Sequence, residues 1–345
     1  MAATIKEIAK RVGVSIASVS LYLNNKETTR VSASTKERID KVVDELNYRK
    51  NIFASSLGRH ESKITGVIIP TSLPLFVNEF TNAILAGIQQ VLSERGYSML
   101  FLPVNGASSE EIVKDQLQNS AGCDGYFLFS TGFCSTEQVH RNISTLQNSG
   151  KPFVTINIPE LDLPVHQVIL QDLDKASGAS FLIDQGHREI VLLLGRENDV
   201  NALGVIDAYN ACCREADIAV RGENICYGDY QAESAYLAIK KRLATGPAPT
   251  AICCMSDQMA LGAYAAIQEA GLRIPEDISV IGRNNVTFSP FLYPALTTVD
   301  LHMADAGKSA AELLLNVAAG EVTSTCHKVM IRSTLAERAS VRALG

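Results

Sequence analysis

Apolar residues recur at helical spacing three times within the first 46 residues, and each recurrence predicts a short helix. The first stripe consists of Ile5, Ile8, Ala9 and Val12. Gly13 interrupts it, as expected where a chain turns sharply through a positive φ. A second helix is predicted to begin after Ser15, which suits an N-cap, and a third after Ser32 or Ser34.

The spacing of Ala9, Gly13 and Val19 is typical of a helix-turn-helix, whose second helix enters a DNA major groove. Serines in the middle of a helix compete with the backbone for hydrogen bonds, so helix stability alone does not explain them. Short polar side chains let a helix approach phosphates and base edges closely. The residues predicted to face DNA are Ser15, Ile16, Ala17, Ser18 and Ser20. The alternative is that they face solvent on an ordinary three-helix domain.

From residue 64 onward, short apolar runs alternate with helical stretches. The runs are Ile64–Ile69, Ser98–Val104, Tyr126–Phe129, Phe153–Ile158, Ile190–Leu194, Ala251–Met255 and Ile278–Ile281. Strands that alternate with helices predict parallel sheets covered on both faces, and seven such strands suit two sheets better than one. The predicted fold class is therefore an all-α helix-turn-helix head joined to an α/β body.

The charge distribution supports this division. The net charge is −6, yet residues 1–60 hold eleven Lys and Arg against six Asp and Glu, so the head is basic and the rest is acidic. A basic head on an acidic body indicates a module that binds a polyanion, although a basic face can also be merely solvated. No run of about 18 apolar residues predicts a membrane span, and eight cysteines without a CxxC motif indicate a reducing compartment. We expect a cytoplasmic protein, associated with the nucleoid when bound to DNA.

No catalytic or metal-binding pattern is recognisable. The Gly-Lys-Ser at 307–309 lacks the upstream glycine of a phosphate loop. His140, His166, His302 and His327 lack partners at metal-ligand spacing, and His187 is interpreted as structural. We therefore expect neither an enzyme nor a bound cofactor or metal, with an enzymatic body as the alternative.

The segments "TIKEIAKRVGVSIASVSLYLNN" and "RVSASTKERIDKVVDELNYRKN" resemble the head of the lactose-repressor/galactose-repressor (LacI/GalR) family of bacterial transcription factors. The similarity continues through "GVIIP", "CDGYFLF", "GHREIVLLLG", "MSDQMALGAYAAIQEAG", "IPEDISVIG" and "PALTTVD". The resemblance implies that DNA contacts are made at Thr4, Ser15, Ile16, Ala17, Ser20, Asn24, Arg30, Ser32, Thr35 and Tyr48. Leu21 stands where the family commonly has an arginine that meets a guanine, so the operator should differ at that base pair.

The resemblance also implies a hinge helix between head and body. Asn51, Ala54 and Leu57 stand at its matching positions, and its leucine wedges into the minor groove at the operator centre. Such a wedge is useful only where two hinges meet, so a dimer is implied. The alternative is a solvated linker. The expected boundaries are 1–49 for the head, 50–62 for the hinge and 63–345 for the body.

For the body, the resemblance implies two Rossmann-like subdomains of the periplasmic-binding-protein-like type, with a ligand cleft between them. We expect the chain to cross between them near Leu163, Leu301 and Cys326. The N-subdomain would then comprise about 63–162 and 301–326, and the C-subdomain about 163–300 and 327–341.

Ligands of open α/β sheets bind beyond the carboxyl ends of the strands, and this rule together with the resemblance selects candidate effector contacts. Phe80 and Tyr230 are the expected aromatic walls. The complete set is Asn78, Phe80, Phe129, Thr131, Asn157, Asp199, Asn201, Tyr230, Ser256 and Asn284. For each of these, the alternative is a loop residue that caps its own backbone.

Four positions depart from the sugar-binding relatives. Val205 replaces an arginine, Ser256 an asparagine, Asn284 an aspartate and Leu301 a glutamine. Without that arginine and aspartate the pocket would lack the charges that clamp hydroxyl groups. We therefore expect a smaller, less hydroxylated or neutral effector that is not a plain hexose.

Together these observations predict a homodimeric repressor that binds a near-palindromic operator and responds to a small-molecule effector. They do not indicate whether the effector releases or promotes DNA binding. The alternative is a non-regulatory small-molecule-binding module with a fused nucleic-acid-binding head.

Overall fold

The computed structural model describes residues 4–24, 26–48, 62–70, 76–104, 110–120, 122–129, 136–158, 164–171, 177–197, 200–322, 324 and 326–344. It divides into two units, Met1–Ser62 and Lys63–Gly345.

The head contains three helices, as predicted: α1 (Ile5–Val12), α2 (Ile16–Asn24) and α3 (Ala33–Glu45). Gly13 ends α1 in the left-handed conformation, with a φ of 71°. A single apolar cluster joins the helices, and its buried members are Ile8, Ala9, Val12, Val19, Tyr22, Val31 and Ile39. The apolar stripes read from the sequence are therefore the faces that pack together.

Twelve strands and eight further helices lie in the described part of the body. In chain order they are β1 (Ile64–Pro70), α4 (Glu79–Glu94), β2 (Ser98–Val104), α5 (Glu110–Asn119), β3 (Gly125–Phe129), α6 (Thr136–Asn148), β4 (Phe153–Ile156), β5 (His166–Gln171), α7 (Ser177–Asp184), β6 (Ile190–Leu194), α8 (Val200–Glu215), β7 (Ile225–Tyr227), α9 (Ala232–Ala244), β8 (Ala251–Cys254), α10 (Asp257–Glu269), β9 (Ser279–Arg283), β10 (Thr297–Asp300), α11 (Met303–Ala318), β11 (Lys328–Arg332) and β12 (Thr334–Ala336).

The strands form two six-stranded sheets. The first has the order β11-β5-β4-β3-β1-β2 and the second β12-β10-β9-β8-β6-β7. All neighbouring strands are parallel except β12, which is antiparallel to β10. Central strands of such sheets are buried on both faces, which explains why they are continuous apolar runs.

Helices cover both faces of each sheet. On one face of the first sheet α4 and α11 pack so closely that a Cβ added at Gly307 would lie 2.0 Å from the carbonyl oxygen of Ile84. Leu117 of α5 and Ile143 of α6 cover its other face. In the second sheet Ile267 of α10 packs on one face and Leu182 of α7 on the other. The predicted α/β body with two sheets is confirmed.

Two of the three expected crossings fall elsewhere. Because β5 belongs to the first sheet, the chain leaves that sheet after Gln171 and not near Leu163. The return after Asp300, near Leu301, agrees with the expectation. Because β11 also belongs to the first sheet, the last crossing lies at Ser333 and not near Cys326. Strand β5, with polar residues at its ends, and strand β11, whose burial alternates, lack the continuous apolar character by which strands were recognised.

Candidate nucleic-acid interface and ligand cleft

The amino-terminal end of α2 presents an exposed surface. Ser15, Ile16 and Ala17 are exposed, and the apolar Ile16 side chain is 44% accessible. Ser18 and Ser20 are half-buried, whereas Val19 between them lies in the head core. The small residues predicted to face DNA therefore occupy the outer side of this helix.

Each helix of the head begins at a hydroxyl side chain. Thr4 accepts a hydrogen bond from the backbone N–H of Glu7 at 3.4 Å, Ser15 from Ser18 at 3.0 Å and Ser32 from Thr35 at 3.3 Å. These three predicted DNA contacts therefore also cap their helices, and each hydroxyl can still donate to an acceptor. Helix amino termini carry partial positive charge, which favours phosphate.

A polar cluster joins α2 to α3. The buried Tyr22 donates its hydroxyl hydrogen bond to the carboxylate of Asp40, which also accepts one from Lys26. The hydrogen bond to Asp40, together with burial, raises the pKa of Tyr22. The ammonium groups of Lys26 and Lys36 lie 4.4 Å and 5.7 Å from the centre of the Tyr22 ring. The cluster fixes α2 against α3 and holds two cations beside it.

The other predicted DNA contacts have different surroundings. Arg30 is exposed and Thr35 is half-buried. Leu21 and Tyr48 are also half-buried, and both pack against the head core. The side chain of Asn24, and Asn51, Ala54 and Leu57 of the expected hinge, lie outside the described residues.

A cleft opens where both sheets of the body end. Six of the ten predicted effector contacts line it: Asn78, Phe80, Asn157, Tyr230, Ser256 and Asn284. Asn78 and Phe80 come from the first subdomain at the start of α4, whereas Ser256 and Asn284 come from the second. The cleft therefore takes its lining from both subdomains.

Tyr230 forms one aromatic side of the cleft and rests on Gly195 at the end of β6. A Cβ added at Gly195 would lie 2.1 Å from Cζ of the Tyr230 ring, so only glycine admits the ring in this position. The Tyr230 hydroxyl also lies 3.7 Å from the sulfur of Met255.

The backbone is strained at several residues of the cleft. Asn157, Tyr230 and Asn284 have φ values of 54°, 57° and 104°. Positive φ values are uncommon outside glycine, and such strain concentrates at functional sites. The surrounding packing holds these three side chains in place at a conformational cost.

Of the four other predicted effector contacts, Phe129 is described and does not line the cleft. Phe129 is 1% exposed and packs in the core of the first subdomain, because strand alternation turns it toward α4 and α11. Thr131, Asp199 and the side chain of Asn201 lie outside the described residues. Val205, which replaces a family arginine, lines a smaller apolar cavity with Leu194 and Cys253.

The expectation concerned the two family charges lost at Val205 and Asn284, but other charged residues line the cleft. Arg283 and Glu79 both line the cleft, Arg283 at the end of β9 and Glu79 in the first turn of α4. Gln231 and Gln258 add two amide side chains. Arg283 precedes Asn284 at the same strand end, so the rule that selected Asn284 also applies to Arg283. The expectation was based only on the family arginine and aspartate that this chain lacks.

Within the described residues, every helix is too short or too polar to span a bilayer. No three His, Cys, Asp or Glu side chains there come together as metal ligands.

Comparison with known proteins gives the family. A model of the bacterial regulatory proteins of the lacI family matches residues 4–51, and a model of the periplasmic binding protein-like domain matches residues 179–341. The HTH-type transcriptional repressor PurR of Vibrio vulnificus is 30% identical over 316 residues, which is 91% of both chains. This chain belongs to the LacI family.

A second LacI-family relative, the repressor PurR of Pectobacterium atrosepticum, is 30% identical and aligns over 98% of this chain and 97% of its own. The crystal structure of the lac repressor dimer bound to operator and the anti-inducer ONPF is 25% identical. It superposes with a TM-score of 0.84 and covers 99% of this chain and 100% of its own. The protein is therefore a LacI-family DNA-binding transcriptional repressor with an effector-binding body, and its relatives are regulators and not enzymes.

Proposed function

We propose that this repressor works as a cytoplasmic homodimer that binds a near-palindromic operator, and that a small charged effector in the cleft changes its affinity for that operator. The supporting observation is the cleft itself. It gathers side chains of both subdomains, including Phe80 from one and Tyr230 and Asn284 from the other. A ligand held by both walls changes the relative setting of the subdomains when it binds one setting better than another.

Arg283 and Glu79 determine what kind of effector fits. Both residues bring an ionisable side chain to the lining of the cleft. An effector with at least one ionised group can make charge-assisted hydrogen bonds there, whereas a neutral sugar offers no opposite charge. A plain hexose, which carries no charge, is therefore not the expected effector of a cleft lined by Arg283 and Glu79.

Metabolite screening tests the effector. The purified full chain is screened by thermal shift with hexoses, sugar phosphates, carboxylates, nucleobases and amino acids. We expect stabilisation by a charged compound, reduced at least tenfold in apparent affinity by Arg283→Met but not by Arg273→Met at an exposed arginine of the same subdomain. Micromolar binding of an ordinary free hexose would contradict the proposal.

The DNA side is tested with an operator selected from random sequence. Gel shifts at increasing salt should show a steep linear fall of log affinity with log salt, since phosphate contacts release counterions. Adding the compound found in the thermal-shift screen should either raise or lower the affinity for the operator. A non-regulatory binding module would instead bind the compound with no effect on DNA affinity, which would favour the alternative.

Two exposed aromatic rings support the homodimer. Phe291 is 85% exposed and Tyr293 is 90% exposed, and both lie in the loop between β9 and β10. Large apolar groups this accessible indicate a contact surface, and a second copy of the chain is the partner that the operator symmetry requires. Phe291→Asp with Tyr293→Asp should halve the mass measured by sedimentation, whereas Leu203→Asp, at another exposed apolar residue, should not. Equal masses for all three proteins would exclude this surface.

A further inference from the structure

A buried carboxylate lies immediately behind the second-subdomain wall of the cleft. Asp257 is the first residue of α10, and its neighbours Ser256 and Gln258 both line the cleft. Asp257 itself does not line it and is 0% exposed. An ionisable group so completely buried requires partners.

All the recorded partners of Asp257 belong to one stretch of chain, residues 283–298. Oδ2 accepts hydrogen bonds from the backbone N–H of Val286 at 2.9 Å and from the hydroxyl of Ser289 at 2.6 Å. Oδ1 accepts one from the hydroxyl of Thr298 at 2.6 Å. The backbone of Arg283 is a further donor to the carboxylate. Short bonds of this kind to a carboxylate are charge-assisted and strong.

The end of β9 is shaped to admit this carboxylate. A Cβ added at Gly282 would lie 2.1 Å from Oδ1 of Asp257, so a side chain there would displace the carboxyl group. The next two residues, Arg283 and Asn284, line the cleft, as does Val286. Arg283 and Val286, whose backbone donates to Asp257, are therefore themselves cleft residues, and Asn284 lies between them in the chain.

We propose that Asp257 is a positioning residue of the effector site, which holds Arg283, Asn284 and Val286 in register with Ser256 and Gln258. The inference rests on the proposed effector function of the cleft. Asp257 need not touch the effector, because it acts on the backbone that presents the contacting side chains. Replacing it should move one half of the wall relative to the other.

The conformation of the loop explains why a carboxylate is needed. Asn284 and Asn285 follow one another with φ values of 104° and 51°, which costs conformational energy for residues other than glycine. Such a segment keeps its shape only when several interactions fix it. The carboxylate supplies an acceptor on either side of these two residues, at Arg283 and at Val286, and apolar packing cannot replace that pattern.

Hydrogen exchange of the full chain tests this assignment. Asp257→Asn keeps one acceptor oxygen and replaces the other by a donor, so the amide cannot accept from the backbone of Arg283 and Val286 and from both hydroxyl groups together. We expect exchange of peptides covering 283–292 to accelerate at least tenfold, while peptides of β6 and β8 change less than twofold. Asp277→Asn is the matched control, since this carboxylate pairs with Arg273 at the surface of the same subdomain.

A second variant covers the case in which Asp257→Asn does not fold. Ser289→Ala removes one donor and leaves the carboxylate in place, and it should accelerate exchange of the same peptides at least threefold. Unchanged exchange in the variants that fold, or an equal acceleration throughout the second sheet, would overturn the assignment, because Asp257 would then only stabilise the fold.

Binding of the most stabilising compound from the metabolite screen separates positioning from stability. Its affinity should fall at least tenfold in Asp257→Asn, but less than threefold in a core variant such as Ile278→Ala adjusted by temperature to the same fraction folded. Equal losses in both would contradict positioning. A screen that returns no compound would count against the proposed function, while the exchange experiment would still decide the role of Asp257.

Discussion

Gly195→Ala should damage the cleft through a single methyl group. The added Cβ would lie 2.1 Å from Cζ, 2.2 Å from Cε2 and 2.5 Å from the hydroxyl oxygen of Tyr230. Ordinary carbon contacts are about 3.5–4.0 Å, so the aromatic ring must move by roughly 1.5 Å. Overpacking of this kind costs about 1–3 kcal/mol. For a body of this size we expect Tm to fall by about 2–5 °C.

The same displacement should weaken effector binding. If Tyr230 is an aromatic wall, a ring moved by ~1.5 Å loses its stacking contact, and a loss of about 1.4 kcal/mol lowers affinity tenfold. Thermal unfolding and titration with the screened compound measure both effects on the same protein.

A double-mutant cycle identifies the cause. Tyr230→Ala removes the ring, so adding Gly195→Ala to it should cost less than about 0.5 kcal/mol, in contrast to its cost in the native protein. Additive losses in the double variant would refute the steric explanation. They would show that glycine is required at position 195 by the backbone conformation of its own loop.

Three further predictions concern other parts of the molecule. Leu21→Arg should shift the preferred operator by about 1–3 kcal/mol at one symmetric position, as measured by selection from random DNA, and an unchanged binding profile would remove the claim. Burial lowers the pKa of His187, although its hydrogen bond to the carbonyl of Arg342 opposes this. Its contribution to stability is therefore present above pH ~6.5 and is lost as the pH falls through the folded pKa. In His187→Gln the free energy of unfolding, measured by urea titration at several pH values, should fall less over this pH range. Gly307→Ala gains about 1 kcal/mol of helix propensity, but its Cβ would lie 2.0 Å from the backbone oxygen of Ile84, so we expect net destabilisation in urea unfolding.

The sequence predicted the central strands because burial on both faces leaves a continuous apolar run, as in Ile190–Leu194. It missed the strands whose burial is partial. Strand β11 has alternating exposed and half-buried residues, and β12 has only three residues. Since the missed strands β5 and β11 both belong to the first sheet, two of the crossings were misplaced as a consequence.

Part of the cleft lining was predicted from the sequence. The carboxyl ends of parallel strands converge, so the strand-end rule selected Asn157 and Asn284 correctly as lining residues. It could not reveal that Phe129 turns into the core, because strand alternation gives two opposite faces without saying which one is open. Nor could any pattern reveal the role inferred for Asp257, since its partners lie up to 41 residues away in the chain.

The cleft and the crossings between the subdomains share one hydrogen-bonded network. The side chain of Asn285, next to the cleft residue Asn284, donates to Asp300 at 2.8 Å. The carboxylate of Asp300 accepts from the backbone N–H of His302 at 2.7 Å, and the His302 ring lies 2.8 Å from the hydroxyl of Thr334.

Asp300 and His302 flank the second crossing, and Thr334 directly follows the third. The network therefore joins the cleft wall at Asn284, through its neighbour Asn285, to two of the three crossings between the subdomains. A ligand that held both settings equally well would shift nothing, however tightly it bound. The proposed function therefore requires that contacts to Arg283 and Asn284 on one side, and to Glu79 on the other, can be made together only in one setting.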